Sequence, residues 1–256
     1  MLPKAPILKT FFMALLAFAV VGAVAEEAAN RTFTLRAQTS FTQARQNHLT
    51  DTNSAVYAQE LARASFDLAE LATNTAQRAE IARCGIDASR RLVARKPQSA
   101  PGHYYLAMNL GELAEAEAPS IAAYRLVHEV EREFKAAAAL DVRFDFAGPA
   151  RNLGELYFQA PGWPLSVGSN RKAREWLERA VAVAPEYPEN QLNLAEAQLK
   201  WHQTDLFKAT MSQLEAIWPA ARTNFTGEIW ERSWTDWNVR RPVLKAEFEK
   251  MLKRAP

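Results

Sequence analysis

Cysteine occurs once in this chain of 256 residues, as Cys84, and glycine only nine times. A lone cysteine excludes an internal disulfide, and in a helical stretch it reads as a small buried apolar residue. The few glycines form no phosphate-cradling loop, dinucleotide fingerprint or nucleophile elbow. Valine, isoleucine and threonine are sparse, which argues against sheets. The four histidines, His48, His103, His128 and His202, show no helical ligand spacing and no nearby cysteine or paired acid, so neither a metal nor any other cofactor is expected. His103 opens a helix beside Tyr104 and reads as a cap or packing residue. Nor is there an excess of charge. Without residues 1–25 the basic and acidic residues balance, and nothing attracts nucleic acid or an anionic membrane at long range.

What is abundant is alanine, with 47 residues, and helix formers dominate. The chain starts with Lys4 and Lys9, then a charge-free run from Phe11 to Ala25 that closes on Ala23-Val24-Ala25 before Glu26-Glu27. That is the layout of a signal peptide, expected over residues 1–25, because a spanning helix needs roughly 20 apolar residues. The alternative is a retained anchor. Cleavage leaves a chain that does not span the membrane, periplasmic or secreted, and no cysteine stands at the cleavage point to carry a lipid.

Residues 26–53 are polar and turn-prone from Asn47 to Asn53, which predicts a flexible leader with one short helix at most. From Ser54 the apolar spacing turns helical: Leu61, Ala64, Ser65, Leu68, Ala69, Leu71 and Ala72 recur three and four apart. A second helix follows from Ala76 to Arg95 and stops at Pro97. The unit recurs, with helices from Gly102 to Pro119, from Ser120 to Leu140, from Gly148-Pro149 to Pro161, from Arg171 to Ala184, from Glu189 to Lys200, and from Asp205 to Ile217 ahead of Pro219. Acids such as Glu112, Glu115 and Glu117 fall on polar faces and read as solvated. Trp230, Trp234 and Trp237 share one helical face, with Trp218 and Phe225 nearby. Residues 220–256, including a helix from Pro242 to Lys253, are expected to cap the array; an exposed partner or oligomer surface is the alternative.

Residues 150–185 carry Leu153-Gly154, then Tyr157, then Ala173 with Leu177, then Ala180 and Pro185, with Ala150 in the place of a tryptophan. This resembles the tetratricopeptide repeat. The pair from His103 is similar more loosely, through Leu106-Ala107, Phe134 and Ala137. The resemblance implies an all-α fold, a right-handed superhelical stack of tetratricopeptide-like helix hairpins over 54–219. Gly154 and Ala173 stand further apart than the roughly 12 residues of an ordinary repeat, the excess forming an inter-helix insertion from Ala160 to Ser169. The stretch Leu153-Gly154, Tyr157, Ala160-Pro161-Gly162-Trp163-Pro164 and Gly168-Ser169 resembles the T-component of TRAP-type transport systems, and less closely the helical-repeat regulators of microtubule dynamics.

The transport resemblance implies a periplasmic accessory protein that assists a substrate-binding protein in handling small organic or hydrophobic ligands. A general cell-envelope interaction scaffold without a small-molecule site is the alternative, and a homo-oligomer stays open. No catalytic residue is assigned and no enzyme is expected. If the repeat register holds, Tyr104, Met108, Arg151, Glu155, Phe158 and Glu196 line a concave groove. Replacing Arg151 and Phe158 together should then spare the fold. Trp163, stiffened by Pro161 and Pro164, either lies over the groove mouth or plugs the gap between two helix pairs.

Overall fold

The computed structural model describes residues 20–254, so most of the expected signal peptide, residues 1–19, lies outside the described residues. Among them are ten α-helices: α1 (Val20–Thr50), α2 (Ala55–Ala69), α3 (Thr75–Arg95), α4 (Ala100–Ala116), α5 (Ile121–Leu140), α6 (Phe144–Gln159), α7 (Asn170–Val183), α8 (Pro188–Lys200), α9 (Thr204–Asn224) and α10 (Glu231–Arg254). The all-α expectation therefore holds for the described residues, whose one extended pairing is a bridge between Gly162 and Gly168. No described helix is long and apolar enough to cross a membrane.

The hairpin boundaries follow from capping. Ser54, Asn74, Ser99, Ser120 and Ser169 each stand before a helix and accept from the backbone N–H three residues on, at 2.8–3.4 Å. Each cap satisfies one of the donors left without a partner at a helix start.

Two compact units result. The first comprises residues up to Asp141 together with Gln159–Gly168. In it α2 pairs with α3 and α4 with α5, α3 packs on α4, and α2 also meets α4. Alanines at the crossings (Ala62, Ala69, Ala82, Ala107, Ala114 and Ala137) are almost wholly buried and let the backbones approach. Gly85 faces Asn109 so closely that a Cβ there would fall inside its side chain. The buried Asn109 amide donates to Ala62 O at 2.9 Å and Tyr105 O at 2.8 Å, tying α4 to α2.

The second unit comprises Val142–Phe158 and Ser169–Pro256. Its core runs from Ala147, Ala150 and Ala180 through Leu192, Phe207 and Leu214 to Trp237, Leu244 and Phe248. Gly154 makes the α6–α7 crossing possible, since a Cβ there would stand 2.6 Å from Leu177 Cγ and 3.0 Å from its backbone nitrogen. The Leu-Gly slot is thus a point of close approach.

Three expectations are corrected. The flexible leader at 26–53 is helical through Thr50, because from Arg31 to Thr50 the sequence holds no glycine or proline to stop a helix. Pro219 does not end its helix and Pro242 does not begin one; both lie inside, in α9 and α10. An interior proline costs ~3 kcal/mol, which the apolar faces on either side offset by burying Trp218, Ala221 and Phe225 around one and Trp237, Leu244 and Phe248 around the other.

Candidate functional site

The residues expected along a groove are mostly occupied within the fold. Tyr104 is buried and packs on Tyr105 and Phe134, with ring centroids 5.2 and 5.8 Å away. Met108 is half-buried in the same unit. Phe158, half-buried in the second unit, meets the Trp201 ring edge-on at 5.6 Å, and Arg174 lies over that indole.

Arg151 is a structural residue, against expectation. Asp145, Phe146 and Ala147 form a left-handed turn, with φ of 51, 53 and 64°, a conformation that side-chain-bearing residues rarely adopt. Arg151 Nη1 donates to Asp145 O and Phe146 O at 3.3 and 3.1 Å and to Asn190 Oδ1 at 3.2 Å, while Nη2 pairs with the Asp145 carboxylate at 3.1 Å. Asn190 Nδ2 donates to Phe146 O and Ala184 O, each at 3.0 Å. The turn swings Phe146 onto Tyr187, stacked at 4.8 Å, and against Phe225 and Trp230. The helix proper then starts at Gly148-Pro149, as the sequence predicts.

Glu155 and Glu196 belong to a second knot, centred on Arg240 of α10. Arg240 Nη2 donates to Asn193 Oδ1 at 2.7 Å and Glu196 Oε2 at 3.0 Å, and Nη1 reaches Asp236 Oδ2 at 3.4 Å. Burial works against the Arg240 charge, but Asp236, Glu196, Glu189 and Glu155 outweigh it and hold its pKa above the ordinary value. Burial, opposed by Arg240 and helped by Glu189, pushes Asp236 up to about 6. A perturbed carboxylate also occurs in structural ion-pair networks, and this one joins α10 to α8. Periodicity shows the Asp236–Arg240 pair, four residues apart, but gives no hint of the links over 44 and 47 residues to Glu196 and Asn193.

The tryptophan stripe lies against the core of the second unit. Trp237 is fully buried and Trp218 and Phe225 nearly so, while Trp230 and Trp234 are half-buried. Trp234 Nε1 donates to Phe225 O at 2.6 Å, and its ring packs on Trp218 and Trp237 at 5.3 and 4.9 Å.

Trp163 does the opposite. The residue is 89% exposed, the highest value among the exposed large hydrophobic residues described, so it plugs no gap. Leu165 beside it is 58% exposed. The loop that carries them is closed at its neck: Gly168 N–H donates to Pro161 O at 2.9 Å and Leu165 N–H to Gly162 O at 3.1 Å. Gly168 has no room for a side chain, since a Cβ would stand 1.9 Å from Ala160 O.

The remaining chemistry-bearing residues have other duties. His103 Nδ1 lies 2.6 Å from Glu133 Oε2 and Nε2 lies 2.9 Å from Pro97 O, linking α4 to α5 and to the turn before α4. Glu112 and Glu115 are not solvated: Arg78 of α3 reaches them at 3.6 and 2.6 Å, so Glu112 is buried and Glu115 half-buried. Glu117 pairs with Arg83 at 2.8 Å. Cys84 is half-buried rather than buried, and burial raises its thiol pKa, which lowers its nucleophilicity at neutral pH. Among the described residues no three His, Cys, Asp or Glu side chains converge as metal ligands.

No known family model and no curated protein matches the chain. Among solved structures, a thermophilic TPR (tetratricopeptide-repeat) protein of Thermus thermophilus is similar over 88% of this chain and 96% of its own, with a TM-score of 0.61 and 17% identity. At that identity the likeness is one of fold, and the fold is a tetratricopeptide-like stack of helical hairpins.

Proposed function

We propose that the chain is an exported helical-repeat adaptor that engages a protein partner and assists a TRAP-type solute transport system by contacting a periplasmic substrate-binding protein. The observation that carries the adaptor reading is the display of Trp163. A hairpin array of the kind that commonly presents binding surfaces buries its other tryptophans wholly or in part and leaves this one almost fully exposed. Tryptophan is a favoured anchor residue at interfaces. Export is supported by the charge-free run that closes on Ala23-Val24-Ala25, and the transport role by the sequence resemblance around Trp163.

Native mass spectrometry of residues 26–256 with the substrate-binding proteins of the same cell envelope tests this reading. A one-to-one complex with one of them is expected, and organic extraction would reveal any small molecule held with it. No complex with any of them sinks the transport role and leaves the general envelope scaffold. N-terminal sequencing of the chain recovered from the periplasm should begin at Glu26; an intact Met1 there would refute cleavage.

A further inference from the structure

From Gln159 to Asn170 the insertion between α6 and α7 has no charged side chain. We propose that this loop is a rigid apolar insert that seats Trp163 in a charge-free pocket of a protein partner, with Leu165 filling the rim. The proposal rests on the adaptor reading above and adds the chemistry of the partner.

Single exposed apolar residues are ordinary. Here, however, Gly162, Trp163, Pro164 and Leu165 are all exposed in sequence, so the whole tip is uncharged. Ile229, 76% exposed, shares its exposed run with the charged Glu228, and the exposed run of Ile121, 74% exposed, is only Ile121 and Ala122. The tip is also held in place. The Gly168–Pro161 and Leu165–Gly162 hydrogen bonds close the neck, Pro161 and Pro164 fix two backbone angles, and Gly168 fits only without a side chain. A pre-organised anchor loses little conformational freedom on docking, so more of the indole's burial appears as affinity. The absence of charge sets the partner's chemistry: a pocket lined by carboxylates or ammonium groups would lose their hydration and receive no counter-charge. A lipid surface fits less well. The loop brings no lysine or arginine for anionic headgroups, and one indole with one isobutyl group offers less apolar surface than a single fatty chain, which alone binds membranes only marginally.

The test places p-benzoyl-phenylalanine at position 163 of the full chain in a bacterial host, with the same probe at positions 121 and 229 as controls. Irradiation should give, from 163 and not from the controls, one dominant adduct with another protein, mapped to uncharged apolar residues. With that protein purified, Trp163→Ala should weaken binding by about 30-fold, with an unchanged melting temperature that shows the fold intact. Raising the salt to about 0.5 M should alter affinity by less than about threefold. A lipid adduct, an adduct with a second copy of this chain, crosslinks on a charged surface, or steeply salt-dependent binding overturns the proposal. A partner trapped from 121 or 229 but not from 163 overturns it too, while leaving the adaptor reading in place. If no position traps a protein, this proposal fails, while the adaptor reading is decided by the native mass spectrometry above.

Discussion

Arg151 shows how one side chain exchanges a binding role for a folding role. It lies on the first-helix face where a groove residue would lie, yet its guanidinium is spent on Asp145, Phe146 and Asn190. Arg151→Ala should therefore destabilise the protein by about 3 kcal/mol, because it strips a partner from the buried Asn190 side chain and from two part-buried carbonyls and releases a strained turn. Urea denaturation checks this; an unchanged midpoint with weakened partner binding would restore Arg151 to the groove. Gly154→Ala is a second case. Its Cβ would collide with Leu177, including the backbone nitrogen, and a loss of about 1–3 kcal/mol is expected. A neutral result would mean that the α6–α7 crossing relaxes freely. The Gly154 contact was legible in the sequence, because the Leu-Gly spacing encodes a local close approach. The role of Arg151 was not, because Asn190 is 39 residues away and the left-handed turn runs through Phe146 and Ala147 as well as Asp145, and of these types only aspartate favours that conformation.

At the scale of elements, the docking of α10 on α8 should depend on pH. Asp236 titrates at about 6 in the folded chain and at about 4 when unfolded. Its folded pKa is raised, so its contribution to stability is fully present below about pH 4 and is lost as pH rises through about 6. The loss is on the order of 2–3 kcal/mol. Asp236→Asn should flatten this step in a stability-versus-pH curve while keeping an acceptor for Arg240. An unchanged step would place its origin elsewhere. Arg240→Ala should act more severely at neutral pH, since Asp236, Glu196, Glu189 and Glu155 would lose their common counter-charge. Hydrogen exchange should then quicken along α10; protection equal to wild type would show that the aromatic contacts suffice alone. Helix periods revealed α8 and the apolar face of α10, but which polar faces meet across 44 residues has no local signature.

For the molecule as a whole, the decisive feature is how a repeat array ends. Stacked hairpins always leave a final apolar face, and something must cover it. The aromatic spacing of Trp230, Trp234 and Trp237 pointed to a cap because only one face of that helix is apolar; in the structure Trp237, Leu244 and Phe248 are buried in the core of the second unit. The sequence misplaced the cap's edges, since Pro219 and Pro242 read as boundaries when each lies inside a helix. The sequence also left open whether Trp163 is plug or display, because exposure depends on surfaces that periodicity does not describe. Removing residues 226–256 should expose Tyr187, Phe207, Trp218 and Phe225, which in the intact chain pack within the same core. That much contiguous apolar surface drives self-association. Sedimentation velocity should show the shortened chain as aggregates or oligomers that bind a hydrophobic dye. The same chain sedimenting as a dye-silent monomer, unfolding at the wild-type midpoint, would mean that α10 is an appendage and that the stack closes on α9 without it.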